Sequence, residues 1–478
     1  MKPFFNLFLS TALICAAAVS TVGQAAPVSG KSAETKQAAD ASPDPNGTDT
    51  APESADTMFP HFREGRLWIS GQINFIFQAH PEFDAKYSGI NSFNKNYEKA
   101  TSRVLTVYTG FQLNKSTEVL ADAEETGGNG LSAALGIAGF SNLDVVRNPT
   151  LGSAPYLARV MLHKVFALGK ARAEADRGPM STFSELPVRR LEVRIGKFGT
   201  ADFFDQNSVG SDSHMQFMNW ATAQNGAYDY AADTRGYTWG AIAEFQERTW
   251  ALRFGEMLMP TVANGIDIEW NLRKAHSENV EYELRRGLLP KKGGTIRLLG
   301  FVNHANMGVY RDAVADFEAG KTTTPDITAH PRKTRAKYGF GVNVEQSLTR
   351  DVKAFARYGW NDGKTESYAY TEIECTVSAG VGIDGKRWHR AKDRAGAVFT
   401  SNGIKRGHQS YLAHGGLGFI LGDGALNYGR ENIFETYYTL HLWRGMFVAP
   451  DFQYVRDPGY NRDRGPALIP GFRLHLEL

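Results

Sequence analysis

The chain has 478 residues and a formal net charge of +2, a near-neutral balance that gives no indication of a nucleic-acid partner. Beyond the N-terminal leader, no stretch approaches the roughly 18 consecutive apolar residues of a transmembrane helix, which excludes a helical span. There are two cysteines, and Cys15 falls in the leader, so neither an internal disulfide nor a cysteine-based metal site is expected.

The N-terminal residues have the composition of an export signal followed by a tail. Lys2 precedes a long apolar run that ends before a small-residue cleavage site, so residues 1–25 are predicted to be a signal peptide. Residues 26–57 are mostly Ala, Ser, Pro, Asp, Glu and Thr, and we expect them to form a disordered periplasmic tail. The remaining residues, 58–478, carry a net charge of +5 and contain the folded domain.

Apolar and polar residues alternate with a period of two along most of the chain after residue 65. In the last predicted strand, Leu474 and Leu476 alternate with Arg473, His475 and Glu477, so one face is apolar and the other is charged. A soluble sheet would need a packed layer over the apolar face. A barrel in lipid covers that face with acyl chains and keeps the charged face for a water-filled lumen.

The alternation predicts sixteen strands. In chain order they are 66–77, 103–113, 117–124, 156–168, 188–198, 237–246, 249–257, 279–286, 295–302, 336–346, 352–360, 368–382, 395–402, 434–443, 446–455 and 467–478.

The predicted fold is therefore all-β, a transmembrane antiparallel β-barrel of sixteen strands with loops folded into the lumen. Short turns and long loops alternate between the strands, as they do in outer-membrane barrels. The links 169–187 and 383–394 are long for turns, and 361–367 is short for a loop. A count of eighteen, with further strands at 266–272 and 411–421, stays open, as does a soluble sandwich. Sixteen strands enclose an aqueous channel.

Several stretches together resemble the carbohydrate-selective porins of the OprB type, from residue 66 to the end of the chain. They are Gly71–Gln78, Ala138–Phe140, Arg147–Gly152, Val193–Phe198, Asn219–Trp220, Asp229–Gly240, Ala263–Asp267, Asn303–Gly308 and Pro458–Pro466.

The resemblance implies a sixteen-stranded barrel in the outer membrane of a Gram-negative bacterium, in contact with lipid. It also implies passive diffusion of small carbohydrates, with no cofactor and no enzymatic activity. Barrels of this class usually end in phenylalanine, and Leu478 departs from that pattern. The oligomeric state stays open between a monomer and a homotrimer.

Two long links are candidates for loops that fold into the pore. The link 199–236 mixes acids with aromatic rings that need burial, and the barrel interior is the nearest wall. Packing on itself at the rim is the alternative. The link 125–155 contains an apolar stretch, residues 130–140, that is predicted to form a short helix in the mouth.

Arginines and acids share the predicted lumen face. An arginine offers five donors in a fixed plane, which suits adjacent sugar hydroxyls, and sugar C–H faces can lie on aromatic rings. Alternatively, the opposite charges only pair across strands and stabilise the wall. The residues predicted to line the pore are Arg159, Arg190, Glu192, Arg194, Asp202, Asp205, Trp220, Arg253, Arg297 and Arg357.

The sequence further predicts that strand five and the following loop form the narrowest part of the pore, with Asp202, Asp205 and Trp220 opposite Arg190 and Arg194. The histidines on strands have no partner at metal-ligand spacing, and we expect solvated polar side chains there. They are His163, His304 and His475.

The sequence predicts a porin for small carbohydrates. A general or organic-acid porin is the first alternative, since a net charge of +5 is compatible with a weak preference for anions. A barrel enzyme such as a lipase or protease is the second, although no persuasive pair of nucleophile and base is present.

Overall fold

The computed structural model describes residues 57–61, 65–146 and 151–478. The predicted signal peptide and all but the last residue of the predicted tail lie outside these ranges. The described strands are β1 Leu67–His80, β2 Glu98–Asn114, β3 Thr117–Gly128, β4 Tyr156–Ala167, β5 Arg172–Glu174, β6 Glu185–Pro187, β7 Arg190–Phe198, β8 Thr238–Gln246, β9 Trp250–Leu258, β10 His276–Leu284, β11 Gly294–Ala305, β12 Arg335–Ser347, β13 Val352–Asn361, β14 Cys375–Asp384, β15 Arg394–Gly403, β16 Glu431–Trp443, β17 Met446–Arg456 and β18 Ala467–Glu477.

Sixteen of the described strands form one closed antiparallel barrel, which confirms the predicted fold class. Neighbours in sequence pair throughout, and β1 closes the barrel against β18. The exception is the short hairpin β5–β6, which lies between β4 and β7 and forms a sheet of its own. Both strands that the count of eighteen requires are absent from the described residues, because 411–413 is helical and 266–272 is irregular.

Helices occupy only a few of the described residues. They are α1 Trp220–Ala223, α2 Tyr310–Glu318 and α3 Arg406–Ala413. None of the helices in the described part of the chain is long and apolar enough to cross a membrane.

The two faces of the barrel wall differ as the alternation predicts. On β18, Leu468 and Phe472 are 40% and 45% exposed, whereas Arg473, the residue after Phe472, is 1% exposed. On β7, Ile195 is exposed on the outside and Glu192 is buried inside. An apolar outer belt of this kind is covered by lipid, and the polar face lines the interior.

The connections alternate between a turn end and a loop end of the barrel. At the turn end, the link after β4 is long because it contains the β5–β6 hairpin, whose tip enters the interior. There the Oγ of Ser181 donates a hydrogen bond to Glu118 on β3, and the backbone N–H of Thr182 donates another, both of 2.8 Å. Phe183 beside them is buried. The turn end is therefore partly filled by the chain's own backbone.

At the loop end, one predicted strand begins too early. β14 starts at Cys375 and not at Tyr368, because residues 362–374 form a loop that turns inward. Tyr368, Tyr370 and Ile373 in this loop are buried, so their apolar character serves the barrel interior and not a strand. The outer loop between β13 and β14 is thus longer than predicted.

Candidate functional site

Loop 199–237, which connects β7 to β8, crosses the barrel interior. Near its start, Asp205 forms an ion pair of 2.8 Å with Arg357 on β13. Farther along, Arg473 on β18 donates hydrogen bonds of 2.8 and 2.9 Å to the carbonyl oxygens of Ser213 and Gln216. The loop therefore reaches from one wall to another. The prediction that it folds into the lumen is confirmed, and packing at the rim is wrong.

The described part of loop 129–155, residues 129–146 and 151–155, contributes a second segment, and residues 131–145 lie beside loop 199–237 in the interior. Glu431 on β16 accepts the backbone N–H groups of Ala138 and Gly139 at 2.9 and 2.8 Å, and Phe140 accepts the N–H of Trp220 at 2.8 Å. The predicted helix over residues 130–140 is wrong. A single 3-10 turn forms at Leu131–Ala133, and the backbone donors beyond it are satisfied by wall and loop groups instead.

Loop 362–374 fixes the far end of loop 199–237. The Asp229 carboxylate accepts the backbone N–H groups of Tyr368 and Ala369 at 2.9 and 2.8 Å, and it pairs with Lys337 on β12 at 3.0 Å. Hydrogen bonds to a charged acceptor are stronger than neutral ones. Asp229 therefore joins two loops to the wall.

A cavity of about 200 Å³ lies where these three loops meet the lumen faces of β2 and β3. Three of its lining rings form a run. Trp220 stacks on Tyr370, with centroids 5.6 Å apart and an interplanar angle of 10°, and Tyr370 lies 4.7 Å from Tyr230. Trp220 is held in place by a 2.7 Å hydrogen bond from its Nε1 to the carbonyl oxygen of Asn142.

Carboxylates line the same cavity. Asp202 accepts a 2.8 Å hydrogen bond from Arg159 on β4, and Glu124 on β3 accepts one of 3.0 Å from the hydroxyl of Tyr237. Burial raises the pKa of Asp233, and Lys197 offsets only part of that effect. The cavity thus presents aromatic faces and oxygen acceptors within one enclosed space.

Of the ten predicted site residues, Asp202 and Trp220 line this cavity. Arg159 is not a lining residue, but it pairs with Asp202, which is one. The expected grouping of Asp202, Asp205 and Trp220 opposite Arg190 and Arg194 is not what the structure shows, because each loop residue has a different partner. Phe203 is the loop residue that lies on Arg194, with the guanidinium carbon 5.3 Å from the ring centroid.

The other predicted arginines on this wall are paired. Glu192 accepts from Arg190 at 2.5 Å and from Arg194 at 2.6 Å, and His163 contacts it at 2.8 Å. His163 also contacts Glu118 at 2.7 Å. His163 is therefore buried between two carboxylates, and the prediction that it is a solvated side chain is wrong.

The remaining histidines differ from each other. His475 is buried in the lumen and stacks on His214 at 5.9 Å, whereas His304 lies on the outer face and stacks on His276 at 4.5 Å. The expectation of a solvated side chain is therefore also wrong for His475, whose position on the last strand places it against loop 199–237.

A second network spans β8 to β12. Arg253 pairs with Glu244, Glu281 and Glu283, at 2.5, 2.5 and 3.2 Å, and Arg297 bridges Glu283 at 3.0 Å to β12. Arg357 lies beneath loop 199–237 and holds Asp205 there. Burial raises the pKa of the Asp205 carboxyl, and the Arg357 guanidinium counteracts only part of this.

The sequence did not single out Glu124, Asp144, His214 or Tyr370 as site residues. Glu124 was on the predicted polar face of its strand, but the loops that enclose it come from distant parts of the chain. Tyr370 was assigned to a strand. The signal that could have found it is the pair of aromatic residues, Tyr368 and Tyr370, directly after a link that is too short for an outer loop.

A closed sixteen-stranded barrel with an apolar outer belt, a charged interior and inward loops defines the class of outer-membrane porins. The family described as "Carbohydrate-selective porin, OprB family" matches residues 102–478, and the chain belongs to this family. It is a carbohydrate channel of the Gram-negative outer membrane and not an enzyme. The resemblance inferred from the sequence is confirmed.

A solved porin structure supports the fold. The high-pH structure of Pseudomonas putida OprB superposes with a TM-score of 0.65 at 15% identity, covering 86% of this chain and 94% of that one. The low-pH structure of the same protein gives 0.44 at 12% identity, covering 86% and 93%. The outer-membrane channel DcaP of Acinetobacter baumannii gives 0.47 at 8% identity, covering 86% and 97%. None of the curated proteins compared with the chain matches it.

Proposed function

We propose that small carbohydrates, of one or two sugar rings, diffuse down their gradient through the lumen by way of the cavity between the three inward loops. The observation that carries this proposal is the run of Trp220, Tyr370 and Tyr230 beside the Asp202 carboxylate.

The chemistry of this cavity matches a sugar on both counts. A sugar ring has an apolar C–H face that can lie on an aromatic ring, and its edge carries hydroxyls that donate to carboxylates. Because the acceptors are already in place, a solute exchanges its hydration for fixed partners at little ordering cost. A channel must bind its solute weakly enough to release it. Single hydrogen bonds at several points along the passage satisfy this condition.

The predicted site residues then divide by role. Asp202 and Trp220 contact the solute, and Arg159 positions Asp202. The others hold the wall and the loops that bound the passage. These are Arg190, Glu192, Arg194, Asp205, Arg253, Arg297 and Arg357.

Liposome swelling tests the proposal. Vesicles with the protein should swell faster in neutral mono- and disaccharides than in organic acids of similar size. Trp220→Ala should weaken block of the ion current by sugar, with a smaller change in the current itself, because it removes a stacking face and no charge. Trp270→Ala is the matched control, since this ring is 66% exposed in an outer loop. Faster swelling in organic acids, or in neither solute, would overturn the proposal.

A further inference from the structure

We propose that the same cavity favours sugars that carry a protonated amino group over neutral sugars, and disfavours acidic sugars. This inference rests on the proposed function and adds the charge of the preferred substrate. The net charge of +5 over residues 58–478 was instead compatible with a weak preference for anions.

The cavity lining is acidic although the barrel is not. Its described lining residues include four carboxylates, from Glu124, Asp144, Asp202 and Asp233, against two cations, the guanidinium of Arg235 and the protonated imidazole of His214, which pairs with Asp144. The nearest wall cations are Arg159, which binds Asp202, and Lys197, which lies near Asp233.

The cations near the cavity do not neutralise all of its carboxylates. Arg159 is shared between Asp202, at 2.8 Å, and Asp122 behind it, so two carboxylates meet one guanidinium. Lys197 lies 4.0 Å from Asp233, a distance at which an ion pair is weak. Arg253 does not contribute a positive charge to the cavity, because it pairs with three glutamates on the wall. The basic residues that give the barrel its net charge therefore contribute little at the cavity.

Glu124 is the carboxylate with no cation of its own. It accepts hydrogen bonds from the hydroxyls of Tyr156, Tyr237 and Thr106, at 2.5, 3.0 and 3.1 Å, and it forms no ion pair among the described residues. Arg235 lies near it but over the Tyr156 ring, 3.8 Å from the centroid. Hydroxyl donors supply hydrogen bonds to a carboxyl but no counter-charge. An ammonium group in the cavity would supply the missing counter-charge.

A second observation indicates that the cavity is built for a solute. Thr234 lines it and is 8% exposed, yet its Oγ1 has no hydrogen-bond partner among the described residues. Buried hydroxyls are nearly always paired, so an unpaired one on a residue that lines a cavity indicates a missing partner. A hexosamine offers what the site lacks, with an ammonium for Glu124, a hydroxyl for Thr234 and a C–H face for the Trp220 run.

The test compares three solutes of one size at about pH 6, namely glucose, glucosamine and glucuronate, in liposomes and in planar bilayers with the full-length protein. Glucosamine should block or permeate about fivefold more effectively than glucose, the factor expected for one unscreened charge contact in water. Glucuronate should be the poorest of the three. A KCl gradient should give a reversal potential that favours the cation.

Two variants and a control locate the effect. Glu124→Gln and Asp202→Asn should each lower the preference for glucosamine toward that for glucose and reduce cation selectivity. Glu125→Gln is the matched control, because Glu125 is the next residue of β3, points outward and pairs with Arg103. It should leave both measurements unchanged. Asp202→Asn keeps the test usable if Glu124→Gln does not fold, because Asp202 is on a loop.

The outcomes separate this inference from the proposed function. If glucose enters but glucosamine has no advantage, or if both variants keep the parent's selectivity, the charge preference is overturned and the sugar passage stands. If none of the three solutes enters, the proposed function itself fails.

Discussion

His214 lies where loop 199–237, loop 129–155 and the last strand meet. Its Nε2 is 3.2 Å from the Asp144 carboxylate, and its ring stacks on His475. Burial lowers the pKa of His214, but Asp144 raises it by more, so that the pKa is raised to about 8. The pKa of Asp144 is in turn lowered, since His214 outweighs the effect of its burial. The contact is thus charged at neutral pH.

This pair predicts a pH dependence of the loops. Because the folded pKa of His214 is raised, its contribution is complete below about pH 6.5 and is lost as the pH rises through about 8. We expect fluctuations of the open-channel current to increase between about pH 7 and 9 in the parent. His214→Gln should show no such transition, whereas His389→Gln at the exposed turn end should behave as the parent. A transition that survives in His214→Gln would contradict the assignment.

Single residues also show what alternation can and cannot predict. The period of two placed Arg357 and Glu192 on the interior face, because the face of a strand residue is a local property. The partners of these residues were not predictable. Asp205 reaches Arg357 along the path of a loop, and His163 reaches Glu192 through the register between β4 and β7.

At the scale of elements, the inward loops are held by carboxylates that accept backbone N–H groups. Asp229 binds two such groups of loop 362–374 and Lys337, and Glu431 binds two of loop 129–155. An irregular segment inside a barrel has no ladder partner for its donors, so a buried carboxylate takes that place. The loops are thereby fixed parts of the passage.

Asp229→Ala should release this arrangement. It leaves the buried Lys337 and the backbone donors of Tyr368 and Ala369 unpaired, which costs about 3–5 kcal/mol for a broken buried ion pair. We expect a noisier open channel and faster proteolysis within loop 362–374, while the barrel keeps its heat-modifiable migration on gels. Asp312→Ala is the control, because that carboxylate is exposed on α2. A quiet, protease-resistant Asp229→Ala channel would show that the loops are held by other contacts.

Strands were predictable where apolar and polar residues alternate along the chain, and they were ambiguous where these residues do not alternate. All sixteen wall strands overlap the predicted ranges, because each must bury one face and expose the other to lipid. Residues 368–374 contain the aromatic and β-branched residues typical of a strand but belong to a loop packed inside the barrel. Composition alone does not separate these cases, since both environments require apolar side chains.

At the scale of the whole molecule, the outer belt is what anchors the barrel in the membrane. Val193→Arg places a charge on this belt in the middle of β7 and should cost about 2–4 kcal/mol near the bilayer midplane. We expect less heat-modifiable protein in the outer membrane. Ile90→Arg, at a position 79% exposed in an outer loop, should be tolerated. Normal amounts of folded Val193→Arg would place that side chain away from lipid.

The strand count and closure were predictable from the sequence as a whole, whereas the filling of the interior was not. Turn and loop lengths alternate along the chain and determine how many strands cross the membrane. The cavity depends on three loops that approach from different strands, and no local pattern encodes their meeting point.

The β5–β6 hairpin and loop 199–237 enter the barrel from opposite ends, and this gives biogenesis an order. The tip of the hairpin rests on Glu118 of β3, so this anchor is present once the first strands of the wall exist. Loop 199–237 is hydrogen-bonded to Arg473 of the final strand, which is the last part of the wall to be synthesised. The contact between this loop and the wall therefore forms only when β18 is in place, and β18 is also the strand that closes the barrel against β1.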